Sequence, residues 1–457
     1  VETRGQLGAL LAEGSEAAFA NAKQCWLALA ALSPTQLTEA QAQHNSEFDQ
    51  GWLQLVDLIG DRDGAVLSLT EELSRWQTQY PHHMANVLLP QREVGERPAV
   101  HKVALLLPVS GPLAKSGLAV RNGIFASFYH WRDKAINPPS IAVYDTAQGD
   151  VNQLYQQAIA EHADFVVGPL AKHHVAALVA HASFTVPTVV LNDSGDMALD
   201  ANNLYSLSLS PLDEARQVAD KAAHDHHQHA LVIAPKTAWG DNVVAAFTQR
   251  WGALGGDVVT DFRYRTTKGL GANLRQTLGL RYSEARAREL MRRLGKKLRY
   301  IPRRRKDFDM VFLVANRSMA SQVQPLLKFY YTGSVPIYAT SLLYQGVANT
   351  NRDADLNGIM FCDMPWVLTP GQLHPDYLNQ LQASVSQLWS KTYRSSPKLF
   401  ALGVDAFDLV YKLDKMRALP AFGSHAATGT LYLTANHHVF RELPWAQFKR
   451  GRARVLS

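Results

Sequence analysis

Cysteine is nearly absent: Cys25 and Cys362 are the only two in 457 residues. Two thiols so far apart exclude a disulfide framework and a thiolate zinc site. No run of eighteen apolar residues occurs, so the sequence offers no membrane-crossing helix. The nucleophile elbow GxSxG, the zinc motif HExxH and the phosphate loop GxxxxGK[ST] are all missing. The chain opens at Val1 without the basic and apolar segments of a signal peptide, as a processed or shortened protein would. Excess charge is scarce outside one stretch. Residues 281–306 hold twelve Lys/Arg against two Asp/Glu, a local +10 that leaves −4 for the rest of a chain whose total is +6. A protein coated in basic charge for nucleic acid is therefore not expected.

What is present is an ordinary globular composition, 47% apolar and 19% charged, at a length that needs two or three domains. HKVALLLPVS (101–110) is an apolar run without alternation, the mark of a strand buried on both faces. Ser110-Gly111-Pro112 turns the chain, and Leu113, Gly117, Val120, Ile124 and Phe128 then recur at helical spacing. This βα unit repeats, with strands expected at 140–145, 164–169, 186–192 and 204–209. A second series follows at 229–234, 257–264, 309–315, 336–340 and 358–364, and a helix is expected over 377–393. Two such series predict a two-lobed α/β protein with parallel sheets and a cleft between the lobes. Residues 1–90 read as helices throughout, with a turn at 60–64, either a TPR-like array cut short or a small helical cap, and QREVGERP (91–98) reads as a linker.

Four blocks carry a resemblance: LLLPVSGPLAKSGLAVRNGI, FVVGPL, GVDAFDLVYKL and TGTLYLTANHHVFREL. In order and spacing they resemble type I periplasmic binding proteins of the leucine-binding class, over roughly 98–457. The preceding GWLQLVDL, Trp76, Tyr80-Pro81 and LLP resemble the LpoA family, outer-membrane lipoproteins of Gram-negative bacteria that activate a class A penicillin-binding protein. The resemblance implies a helical TPR-like region at 1–90, a linker at 91–97 and the two-lobed domain at 98–457. It places the crossings between lobes near 210–212, 363–365 and 422–423. Lobe one is then 98–210 plus 365–421, and lobe two 212–363 plus 423–457. It further implies a monomer in the periplasm at the inner face of the outer membrane. The lipidated Cys and most of the helical domain would precede Val1.

The same fold locates candidate residues. Relatives that bind amino acids hold the ligand carboxylate on the turns after strands one and three, where hydroxyls and helix N-termini suit an anion. Those turns offer Ser110, Gly111, Ser116, Gly168 and Pro169, with Asp193 at the end of strand four. Ala171-Lys172 stands where such binders place Ser or Thr, so one hydroxyl pair is missing. The alternative function, a small-molecule binder whose lobes close on an amino-acid-like ligand, rests on these residues. The sharpest feature is the basic segment. A helix expected over 285–298 presents Arg292, Arg293, Lys296 and Lys297, and Arg303, Arg304, Arg305 and Lys306 extend the charge into a loop. These are the candidate contacts to the synthase; an anionic lipid surface is another target, and a merely solvated helix needs no partner at all. Only Tyr282 and Tyr300 interleave with the charge, against single-strand nucleic-acid binding. HDHHQH (224–229) spreads its imidazoles over several directions, and no catalytic set, metal site or cofactor is assigned.

Overall fold

The computed structural model describes residues 2–456 apart from 9, 13–14, 31, 33, 44–45, 61–65, 90–98, 134–136, 194–201, 298 and 331. The expected linker, most of the turn at 60–64 and Leu298 therefore lie outside the described residues.

The N-terminal region is helical, with α1 at Glu16–Ala30, α2 at Glu47–Ile59 and α3 at Val66–Gln79. Ser46 starts α2 by accepting the Asp49 N–H at 3.1 Å, with Glu47 and Asp49 in the first turn favouring the helix dipole. Trp52, Leu55, Val56 and Ile59 recur on one face and bury against Cys25, Trp26, Leu73 and Trp76. That core is completed by Ala418, Leu419 and Phe422 from the far end of the chain. Trp26 meets Phe422 edge-on at 4.6 Å, and Lys415 Nζ donates to the Ile59 carbonyl at the end of α2 at 2.7 Å. The helical region thus shares its core with the end of α7.

The first sheet has parallel strands β1 (Lys102–Leu107), β2 (Ser140–Asp145), β3 (Phe165–Val167), β4 (Thr188–Val190) and β5 (Leu204–Leu207) in the order β2-β1-β3-β4-β5. Val103 to Leu107 are fully buried, as an apolar run without alternation requires. Helix α4 (Ala114–Arg132) follows β1, and α5 (Pro211–His224) leads into the second sheet. That sheet repeats the order with β6 (His229–Pro235), β7 (Asp257–Tyr264), β8 (Met310–Leu313), β9 (Ile337–Ala339) and β10 (Ile359–Cys362), as β7-β6-β8-β9-β10. Both halves are doubly wound, and the two-lobed α/β expectation is borne out. Helix α6 (Leu280–Leu294) lies between β7 and β8, and α7 (Pro397–Ala418) returns to lobe one. There α7 crosses α4 with almost no gap. A Cβ on Gly123 would sit 2.2 Å from the Phe400 carbonyl oxygen, and one on Gly403 2.1 Å from that of Val120.

Three expectations need correction. The last 35 residues do not all join lobe two. Strands β11 (Ser424–Ala426), β12 (Gly429–Leu433) and β13 (His438–Glu442) extend the first sheet, because β13 pairs parallel with β5 (His438 with Ser206, Val439 with Leu207). Only β14 (Trp445–Lys449) and β15 (Arg452–Val455) pair with the second sheet, at β10. The third crossing is thus at Leu443-Pro444, not 422–423. A strand pattern fixes which face is buried but not which free sheet edge supplies the partner hydrogen bonds. The helix expected over 377–393 is broken at Trp389, whose backbone leaves the helical region (φ −123°, ψ 41°) while its ring packs on Phe400. The basic helix runs 280–294, not 285–298, because Gly295 at φ 62° ends it in the left-handed conformation that glycine tolerates best.

Candidate functional site

The cleft turns come together as the topology demands: β1, β3 and β4 are neighbours, so Ser110, Gly168 and Asp193 lie beyond the same ends of one sheet. Their chemistry is turned inward. Asp145 ends β2, directly across from Leu107 at the end of β1. Its Oδ1 accepts the backbone N–H groups of Val109 and Ala147, each at 3.0 Å. Burial would raise its pKa, but the Ser110 hydroxyl and the N–H groups of Ala147, Val109 and Ser110 outweigh that and hold it below the usual range. A carboxylate belonging to the protein therefore occupies these amides and the Ser110 hydroxyl. Gln148 Nε2 also donates to Ser110 Oγ at 3.3 Å. Gly111 takes φ 70° in the turn, and Ser116 lies half-buried in the first turn of α4.

At the third strand, Gly168 holds φ 108° with the Leu106 carbonyl 2.2 Å from where a Cβ would stand, and is joined to Pro169 by a cis peptide. The next helix opens at Ala171 without a side-chain cap, and Lys172 is exposed on its first turn. Asp193 accepts the Ser208 hydroxyl at 2.8 Å.

The three crossings between lobes hold a buried polar network that the sequence reading did not pick out. Arg441 on β13 donates Nε to the Ser208 carbonyl at 2.8 Å and Nη1 to the Thr428 carbonyl at 3.3 Å. Its Nη2 stands 3.8 Å from Glu214 on α5, whose carboxylate accepts the Ser341 N–H and hydroxyl, both at 2.9 Å. Gln217 ties the third crossing, donating to the Arg441 carbonyl and accepting the Leu443 N–H, each at 2.9 Å. At the second crossing Lys398 Nζ pairs with Asp363 at 2.7 Å and donates to the Ser341 carbonyl at 2.9 Å. Asp405, inside α7, accepts the N–H groups of Ala427 and Thr428 and the Thr428 hydroxyl at 2.6 to 2.8 Å. Burial pushes the carboxyls of Asp363 and Asp405 up to about 6, only partly offset by Lys398 in the first case and Thr428 in the second. The signal was legible: GVDAFD sets two carboxylates within an apolar helix, and a buried acid must find donors. Asp408 finds Ser127, Trp131 and Tyr377.

The basic candidates divide. Arg292 and Arg293 are exposed and share Glu289, Lys296 and Lys297 are exposed beyond the helix end, and Arg303 and Lys306 are exposed in the loop. Arg304 and Arg305 instead face the body. Arg304 lies over the Phe308 ring at 5.0 Å, and Arg305 is bidentate to Asp307 at 2.7 and 2.5 Å. In the histidine string His224 ends α5, while His229 starts β6 and bonds Asp257. Among the described residues no three His, Cys, Asp or Glu are grouped to hold a metal, and no helix is long and apolar enough to cross a membrane.

Comparison with known proteins places this architecture. The LppC lipoprotein family matches residues 1–451. The chain belongs to the LppC family. It is 29% identical over 437 residues to the penicillin-binding protein activator LpoA of Vibrio antiquarius, across 92% of this chain and 70% of that relative. The crystal structure of full-length LpoA from Haemophilus influenzae is similar at a TM-score of 0.63 and 22% identity, over all of this chain and 77% of that one. The C-domain of that protein, described as a regulator of PBP1A, gives 0.61 at 22% identity, over 78% of this chain and all of that domain. A solute-binding protein of an ABC transporter from Rhodopseudomonas palustris, in complex with p-hydroxybenzoic acid, gives 0.51 at 16% identity, over 78% of this chain and 95% of that one, a likeness of fold alone. The resemblance to the LpoA family and to periplasmic binding proteins is borne out. Within this LppC-family chain that fold remains, and Asp145 holds its first turn by accepting the Val109 N–H.

Proposed function

We propose that this chain is a non-enzymatic activator of a class A penicillin-binding protein, and so a regulator of peptidoglycan synthesis. It works as a monomeric lipoprotein in the periplasm, tethered to the inner face of the outer membrane. Its curated relatives carry the name of penicillin-binding protein activator. The observation that favours docking over metabolite binding is the Asp145 carboxylate on the Val109 and Ala147 amides. A second carboxylate brought to that turn meets like charge, with the Val109 and Ala147 amides already engaged. The hinge supports the same reading. Buried pairs such as Lys398–Asp363 line the crossings, each costly to leave unpaired. The two lobes then serve as a rigid body that binds the synthase and favours its active state, which needs higher affinity for that state than for the inactive one.

The test is glycan polymerisation and cross-linking by the purified synthase of the same organism, with and without saturating chain. A rise in rate is expected. Saturated binding with no rise would end the activator reading. A thermal-shift screen with amino acids and aromatic acids addresses the rival, since a ligand of the native state raises the melting temperature with concentration.

A further inference from the structure

From Arg281 to Asp307 no described residue is buried. Helix α6 has a single buried residue, Leu280, at its base, and over 15 residues it extends about 22 Å. The chain turns at Gly295 and comes back to that base, where the Arg303 N–H meets Ser283 Oγ at 2.9 Å and the Arg305 N–H meets the Leu278 carbonyl at 2.9 Å. This is an arm that contributes nothing to either core.

Its surface is organised all the same. At 100° per residue, Ser283, Ala287, Leu290, Met291 and Leu294 form one stripe of α6. Arg286 and Arg293 flank it on one side and Arg288 on the other, while Arg281 and Arg292 lie nearly opposite it. Leu290 and Leu294 are 49% and 53% exposed, and Ile301 on the returning segment is 72% exposed. A helix with no tertiary packing is marginal on its own, so an apolar stripe left bare does not stabilise the fold. The arm's two acids are already committed, Glu284 to Arg275 and Glu289 to Arg292 and Arg293. Arg286, Arg288, Lys296, Lys297, Arg303 and Lys306 make no ion pair among the described residues.

We infer that this arm is the docking element for the synthase, and that it enters an apolar groove with acidic walls on that protein. The inference rests on the activator reading. Leu290, Met291 and Leu294 have the spacing of anchors on a helix that lies in a groove. Arginines on both flanks match two walls, where a planar surface would meet one face only. Nine of the twelve cations are Arg, whose planar fork suits carboxylates held in fixed geometry, whereas a diffuse lipid charge attracts Lys equally well. Tyr282, 70% exposed on the side away from the stripe, adds a contact for a partner that surrounds the helix.

The test titrates the full chain against the periplasmic portion of the class A penicillin-binding protein of the same organism. The variants are L290S/L294S and R286E/R288E. Because none of these side chains is buried, melting temperatures should match the parent. L290S/L294S should raise Kd about tenfold or more. R286E/R288E should raise Kd and flatten its dependence on salt. Co-sedimentation with phosphatidylethanolamine–phosphatidylglycerol vesicles runs in parallel, and neither variant should alter it. If both variants bind the synthase as tightly as the parent, the arm is not the contact, although the activator reading stands. If they keep that affinity and lose vesicle binding, the arm belongs to a membrane and the inference is overturned. If the parent itself does not bind the synthase, the activator reading fails and takes the arm with it.

Discussion

The hinge and the basic arm both gather charge, and they use it in opposite ways. At the hinge Arg441, Glu214, Asp363 and Asp405 are at most 4% exposed, and each is held by partners on the chain itself. On the arm the excess is larger, no described residue is buried and most cations are left without a carboxylate. The contrast separates charge that holds two lobes at a set angle from charge that awaits a second molecule. Desolvation decides which is which. A buried charge must be paired where it stands, while an exposed one gains little until a partner excludes water around it.

That contrast can be broken at either end. The largest effect is expected from Arg441→Ala, which strips the Ser208 and Thr428 carbonyls of their donor and leaves Glu214 without its nearby cation. A loss of about 3–5 kcal/mol should appear as a lowered urea midpoint; a midpoint near the parent's would mean that the network does not hold the lobes. Phe422→Ala should cost about 3 kcal/mol by opening the shared core under the helical region. Hydrogen exchange within α1 and α2 would report it, and unchanged protection there would show that the helical region stands without lobe one.

The third effect depends on pH. The Asp405 carboxyl is raised to about 6 in the folded chain from an ordinary 3.8. Its favourable contribution is therefore complete below about pH 4 and is lost as pH rises through about 6, by about 1.4 kcal/mol per pH unit within that window. Asp405→Asn cannot titrate, so the parent's advantage over it should shrink from pH 4 to pH 7. A constant difference between the two would contradict an elevated Asp405. The smallest effect belongs to the arm. Arg286→Ala and Arg288→Ala should leave stability within about 0.5 kcal/mol of the parent, and a larger loss would mean that the arm is part of the folded core after all.

Much of this was legible in the residues. Runs such as VALLL and MVFL have no polar face, so they had to become strands covered on both sides, and the βα rhythm between them required two parallel sheets. The cleft turns were found by position, but their occupant was not. Asp145 reads as a strand-end acid among others until β2 is set beside β1 and its oxygen meets the Val109 amide. Arg304 and Arg305 read as part of one basic run, and only folding turns them onto Phe308 and Asp307.

The sequence by itself determined the class of fold, a helical N-terminal region followed by two doubly wound lobes, and the presence of one strongly basic segment. These follow from local periodicity and composition, which act within a few turns of chain. Only the tertiary structure decided which sheet edge takes residues 424–442, which buried acids are satisfied at the crossings, and that α6 beyond Leu280 stands clear of both cores. Each of those depends on groups far apart in sequence meeting in space, and hydrogen-bond pairing and desolvation act only once they have met.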